Sequence, residues 1–227
     1  MSLSIDSFLS RYRRLPNFID NNYVEADSER FLKTYDPGLG AEIAEVPISS
    51  SKNIDEAVSA AFEAFMKWSS RPILERLQYL VRLKILIQEK MDELAYILSM
   101  NVGKTVREGR GEIMRTLEAL DSALGIPHLF MTVRKLMNVT GGEPEIDMEM
   151  VREPVGVFAI ISPFNFPIMI PMWFIPMAVT LGNTVVVKPS ELDPVPITYF
   201  IRLFKDAGYP DGVVNLVNGD ASTSQYL

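Results

Sequence analysis

The chain has 227 residues, 48% of them hydrophobic, with 22 Lys and Arg against 29 Asp and Glu and a net charge of −7. That is enough apolar material for one large domain or one domain with a small appendage, and the acidic balance argues against nucleic acid or an anionic membrane as partner. The sequence holds no cysteine, which excludes a disulfide framework, thiolate metal sites and a cysteine nucleophile within these residues. The sole histidine, His128, lies in the apolar stretch Gly125-Ile126-Pro127-His128-Leu129-Phe130 and reads as structural, so no metal site is expected.

The N-terminal run MSLSIDSFLSRYRRLP has arginines but no apolar segment ahead of a cleavage site, so cytoplasm is the expected compartment. Asn17–Val24 reads as two short strands around an Asn-rich turn. Asp36–Gly40 is a second turn, followed by a strand over Glu42–Val46. Asn53, with Glu56 three residues on, has capping-box spacing and starts a helix. Its buried face is expected to hold Ile54, Ala57, Val58, Ala61, Phe62 and Phe65. Pro72–Ser99 forms a second helical block that Gly103 closes. Thr105–Leu124 forms a third, stopping near Gly125-Ile126-Pro127.

The period then changes. Glu145–Met150 alternates acid and apolar residues strictly, as a strand with one wet face does, and Asn138–Gly142 supplies the preceding strand end and turn. The resulting hairpin is either an interface arm or an ordinary edge. From Val155 the order is strand (Val155–Ile161), helix (Pro167–Leu181, with Pro176 inside), strand (Thr184–Lys188), helix (Val195–Ala207) and strand (Val213–Val217). Continuous β-branched runs imply strands buried on both faces of a parallel sheet, and alternation with helices implies a doubly wound α/β fold. No charge stands between Glu153 and Lys188, a run long enough to span a bilayer. Four prolines (Pro163, Pro167, Pro171 and Pro176) and three polar or glycine interruptions argue against a spanning helix.

In an open parallel sheet, ligands bind beyond the carboxyl ends of the strands. Ser162-Pro163-Phe164-Asn165, Lys188-Pro189-Ser190-Glu191 and Asn218-Gly219-Asp220 fall there. The Asn165 amide suits a developing oxyanion, or it caps the helix that follows. Lys188 and Glu191 suit the two hydroxyls of a ribose, or they form a solvated charge pair. Neither GxGxxG nor GxxxxGK[ST] occurs in the chain.

The runs Ser162-Pro163-Phe164-Asn165-Phe166-Pro167 and Gly182-Asn183-Thr184-Val185-Val186-Val187-Lys188-Pro189-Ser190-Glu191 resemble the aldehyde dehydrogenase superfamily, which lacks GxGxxG in its first βα turn. The similarity extends upstream through Asp36-Pro37, Glu45-Val46-Pro47, the Asn53–Trp68 helix and Gly103-Lys104. The stretch Phe166–Trp173, with Pro176-Met177-Ala178, most resembles the methylmalonate-semialdehyde dehydrogenases within it.

The resemblance implies an aldehyde dehydrogenase-like fold: a partial doubly wound, Rossmann-like parallel sheet with N-terminal helices and a projecting hairpin. It divides the chain into helices of the cofactor domain over 1–135, an oligomerisation arm over 136–154, and half of the NAD-binding sheet over 155–227, with the catalytic domain absent. Asn165 matches the oxyanion-hole asparagine. Ser162 and Phe164 match the nicotinamide–ribose lining, and Lys188 and Glu191 the adenosine-ribose pair. Leu192 follows in the cofactor site, where the subgroup usually carries Arg. Arg115 matches an arginine facing the carboxylate of an acidic aldehyde, or is a helix-surface charge. The implied cofactor is NAD or NADP, the substrate an aldehyde, and the acyl acceptor water or coenzyme A. The implied assembly is a homo-oligomer, or a pairing with the missing C-terminal portion. The alternative is a non-catalytic cofactor-binding or assembly module.

Overall fold

The first turn of helix forms because Ser4 caps it. In the computed structural model, which describes residues 4–130, 133–141 and 145–227 and only the backbone of 128–130, the Ser4 hydroxyl accepts the Ser7 N–H and opens α1 (Ile5–Arg11). The structural reading of His128 thus lies outside the described side chains. A hairpin follows, β1 (Asn17–Ile19) and β2 (Asn22–Val24), turned by Asp20 and Asn21 at φ 50° and 58°, a conformation these residue types tolerate.

Next come β3 (Phe31–Asp36) and β4 (Ala41–Pro47), an antiparallel ribbon across the expected Asp36–Gly40 turn. β3 has no counterpart among the expected elements. The helix α2 (Ser51–Trp68) starts two residues before Asn53. Asn53 does not cap it: its side-chain Oδ1 instead accepts the Asp27 N–H at 2.8 Å, a tertiary partner that local spacing does not reveal. The buried face is Ile54, Ala57, Ala60, Ala61 and Trp68, while Val58 and Phe62 are exposed. The alanine side of α2 approaches closely enough for Thr184 Oγ1 to donate to the Ala61 carbonyl at 2.8 Å, and that approach sets which face is buried.

The Pro72–Ser99 block is two helices, α3 (Ile73–Glu89) and α4 (Met91–Val102), broken at Lys90. Gly103, at φ 79°, closes α4 as expected. α5 (Val106–Phe130) does not stop at Gly125 but carries Pro127 inside it. Burial of Ala123 and Ile126 in the core outweighs the one hydrogen bond that the proline removes. The hairpin β5 (Arg134–Leu136) and β6 (Met148–Met150) pairs Arg134 with Met150 and Leu136 with Met148. All six residues are exposed, so the expected single wet face is two wet faces: no described element covers either side.

The α/β half runs β7 (Val157–Ile161), α6 (Met169–Thr180), β8 (Thr184–Lys188), α7 (Val195–Phe200), α8 (Arg202–Asp206), β9 (Val214–Leu216) and α9 (Ala221–Tyr226). The alternation is as read from the sequence, except that the Val195–Ala207 helix divides at Ile201 and α6 begins two residues after Pro167. The sheet order is β2-β1-β9-β8-β7, with β7, β8 and β9 parallel and β1 antiparallel to β9. Side chains alternate across β8. Val185 and Val187 join the large core under α6, while Val186 packs with Ala57, Ala60 and Ala61 of α2, so the sheet is covered on both faces. β8 and β9 are buried throughout. β7 is not: Phe158, Ala159 and Ile161 are exposed, because β7 ends the sheet and no described strand pairs with its outer side. Among the described residues, no helix is long and apolar enough to cross a membrane.

Candidate functional site

β7 and β8 pair from Val157–Thr184 to Ile161–Lys188. One residue further, the Ser162 N–H donates to the Lys188 carbonyl oxygen at 3.0 Å. The two chains therefore leave the sheet together, at the carboxyl ends where open parallel sheets take ligands. On the far side of β8, the Val217 N–H donates to the Val187 carbonyl at 2.9 Å, which brings Asn218-Gly219-Asp220 to the same edge. Asn218 is buried and structural there, its N–H on Asn17 Oδ1 and its amide on the Pro16 carbonyl, each at 2.8 Å. Asp220 caps α9 by accepting the Ser222 N–H.

Ser162 is buried and its hydroxyl has no hydrogen-bond partner among the described residues. Leaving such a group unpaired costs about 1–3 kcal/mol, so the hydroxyl has bonding capacity to spare. Pro163, Phe164 and Asn165 are exposed. Asn165 does not cap the following helix. The N-terminus of α6 is held instead by Glu112 of α5, whose Oε1 accepts the N–H groups of Ile168 and Met169 at 3.0 and 3.1 Å. The Asn165 amide is thereby left with no bond to the described residues.

Lys188 and Glu191 meet at 3.2 Å, with side-chain exposures of 4% and 33%. The solvated-pair reading is thus wrong for Lys188, whose stem is buried with the rest of β8. Glu191 stays open to solvent in part and carries the pair to the surface. The Leu192 side chain is exposed, while its carbonyl accepts the Thr34 hydroxyl at 2.7 Å. Asp193 is buried beside them, and burial, reinforced by Glu112 and opposed by Lys104, pushes its carboxyl up to about 8. Arg115 is exposed on α5, where it lines an open cavity of about 340 Å³ with Trp173 and Met177 of α6. Among the described residues, no group of three or more His, Cys, Asp or Glu is placed to hold a metal ion.

The model of the aldehyde dehydrogenase family matches residues 23–227. The chain belongs to that family. Malonate-semialdehyde dehydrogenase from Bacillus pumilus is 41% identical over 205 residues, covering 90% of this chain and 41% of that protein. Methylmalonate-semialdehyde dehydrogenase from Oceanimonas doudoroffii superposes with a TM-score of 0.87 at 35% identity, over 93% of this chain and 42% of that one. A structure from Sinorhizobium meliloti assigned as a methylmalonate-semialdehyde dehydrogenase, complexed with NAD, gives a TM-score of 0.86 at 37% identity over 93% and 42%. The chain thus spans less than half the length of these relatives.

In this aldehyde dehydrogenase family member, Glu112 and Asp193 near the strand tips escaped the sequence reading, and Lys104 was noted there only for its resemblance, without a role. Glu112 leaves a usable signal, an acid on the same helical stripe as the apolar Leu120 and Ala123. Asp193 leaves none, since an Asp before a proline reads as a turn.

Proposed function

We propose that this chain is the cofactor-binding portion of an NAD(P)-dependent aldehyde dehydrogenase. Its substrate is an aldehyde, in the finer reading a carboxylated one such as methylmalonate semialdehyde, and its product an acid or an acyl-CoA. The observation that carries the proposal is the joining of the β7 and β8 tips, which sets the unpartnered Ser162 hydroxyl one residue from a buried lysine paired with a part-exposed carboxylate.

The residues present fit the cofactor. Lys188 and Glu191 supply a donor and an acceptor for the adenosine ribose, while Ser162 and Phe164 line the nicotinamide–ribose side. Leu192 offers at most apolar contact. When bound, the cofactor accepts the hydride of the oxidation. Asn165, its amide free, steadies the oxyanion of the attacked aldehyde, a contribution of about 2.7–4 kcal/mol for one such donor. Arg115 faces the carboxylate of an acidic substrate across the α5–α6 cavity. The nucleophilic thiol of the family reaction is not among these residues, so the chain by itself is expected to be inactive.

Calorimetric titration of NAD⁺ into the 227-residue chain tests the reading, with Lys188→Ala and Glu191→Ala as controls. Weak binding that both substitutions abolish is expected. No binding by the unaltered chain, or binding indifferent to both changes, overturns it.

A second role is supported by the β5–β6 hairpin, which exposes Leu136, Met148 and Met150 on a two-stranded ribbon. Apolar residues so displayed suit an assembly arm, for a homo-oligomer or for a longer partner carrying the remaining portion. Co-purification with a full-length relative that Met148→Lys abolishes would support this role; a monomer at micromolar concentration would count against it.

A further inference from the structure

We propose that Glu112 and Lys104 are positioning residues that clamp the Ser162–Pro167 loop from its far side, so that Ser162, Phe164 and Asn165 are presented to the cofactor cleft. The inference rests on the cofactor reading above and deepens it.

The Glu112 side chain is wholly buried. A buried carboxylate is costly unless its oxygens are filled, so its partners define what it is for. They are the N–H groups of Ile168 and Met169, both on Oε1, and the Lys104 ammonium on Oε2 at 2.5 Å. Residue 168, at the cap of α6, is isoleucine and has no oxygen of its own to offer the first turn. Glu112 supplies that oxygen from another helix and places negative charge at the positive end of the α6 dipole.

Lys104 does a second thing. It follows Gly103, whose left-handed φ of 79° ends α4 and turns the chain back, and its ammonium lies 3.9 Å from the centroid of the Phe166 ring. Phe166 is the residue after Asn165. The loop is therefore held at three points: Ser162 on the Lys188 carbonyl, Phe166 under Lys104, and Ile168–Met169 on Glu112. Between the first two holds, residues 163–165 are exposed. A short loop fixed at both ends keeps Asn165 in place at small entropic cost, and frees its amide from the capping duty that Asn so often takes.

The test uses the whole 227-residue chain, with amide hydrogen exchange read residue by residue and titrations of NAD⁺ and AMP. AMP requires only the Lys188–Glu191 end of the site, whereas NAD⁺ also requires the loop. Glu112→Ala is expected to speed exchange at Ile168 and Met169 by roughly tenfold or more while leaving Val185–Val187 of β8 unchanged. It should weaken NAD⁺ by about tenfold with AMP unaffected. Glu112→Gln, which keeps an acceptor oxygen, should recover most of both. Should Glu112→Ala not fold, Phe166→Leu frees the other hold without baring a charge, and must speed exchange in residues 164–166 and weaken NAD⁺ but not AMP. Uniform acceleration across both segments, no acceleration at all, or parallel loss of NAD⁺ and AMP would make Glu112 and Lys104 packing residues and overturn the clamp. An unaltered chain that binds neither nucleotide overturns the cofactor reading instead, and the exchange comparison still decides the clamp.

Discussion

Ser162 gives its backbone N–H to the carbonyl oxygen of Lys188, yet its own buried hydroxyl finds no partner among the described residues. The main chain there is committed to joining two strands, and the side chain is free for something else. Ser162→Ala is therefore expected to leave the unfolding free energy unchanged, or to raise it by up to about 1 kcal/mol, since an unpaired buried group is removed. The same substitution should weaken NAD⁺ binding several-fold by calorimetry. A clear loss of stability in denaturant titration would reveal a partner for the hydroxyl inside the fold.

Asp193 makes stability depend on pH. Its carboxyl ordinarily titrates near 3.8 and is raised to about 8 in the folded chain, chiefly by burial. Between those values the folded chain keeps the proton and the unfolded chain releases it. The stabilising contribution is thus complete below pH about 4 and is lost as pH rises through about 8. Asp193→Asn should flatten this part of the profile and stabilise the chain at pH 8 by on the order of 2 kcal/mol, read from urea midpoints at several pH values. An unchanged slope would mean that another group carries it.

Trp68 joins the end of α2 to α6: its indole N–H donates to the Val179 carbonyl at 2.9 Å, with the ring buried against Tyr79 and Tyr209. Trp68→Phe keeps most of the ring and removes this one hydrogen bond, while the Val179 carbonyl still accepts the Gly182 N–H at 3.1 Å, so the loss should be about 0.5–1.5 kcal/mol. Trp68→Ala adds a cavity and should cost about 3–5 kcal/mol. Equal losses for the two variants would show that the hydrogen bond, and not the packing, carries the contact.

Gly212 stands at φ 76°, and a Cβ there would lie 2.5 Å from the Ala60 carbonyl oxygen, whereas Gly40 at φ 64° has open space around it. Both glycines to alanine should cost about 1 kcal/mol for the left-handed backbone. Gly212→Ala should cost clearly more, because the clash is with main chain that must move. Comparable melting temperatures for the two variants would refute that ranking.

β7 offers a bare edge flanked by exposed Phe158 and Ile161. Such an edge pairs with other chains. Sedimentation should show association that rises with concentration and falls in the Phe158→Lys, Ile161→Lys double variant. A monomer at every concentration would show the edge to be inert.

Local signals were readable wherever a residue acts on its own neighbours in sequence. The β-branched runs of β8 and β9, the turn residues Asp20, Asn21 and Asp36, and the αL stop at Gly103 reported their elements, and the motifs ending in Asn165 and Glu191 reported the family. What misled was a residue whose partner is remote. Asn53 has the spacing of a cap but bonds to Asp27, Pro127 has the look of a terminator but lies within α5, and Val58 and Phe62 fit a buried stripe that α2 turns to solvent.

Residue type and spacing alone settled that strands alternate with helices and that a lysine ends a strand with a glutamate three residues beyond it. Only the packed molecule decided that the N-terminal hairpin extends the sheet, that β7 lies at its rim, and that Glu112 rather than Asn165 caps α6. The reason is physical: propensity and periodicity act over a few residues, whereas desolvating a carboxylate or closing a sheet edge depends on which distant segment arrives to complete it.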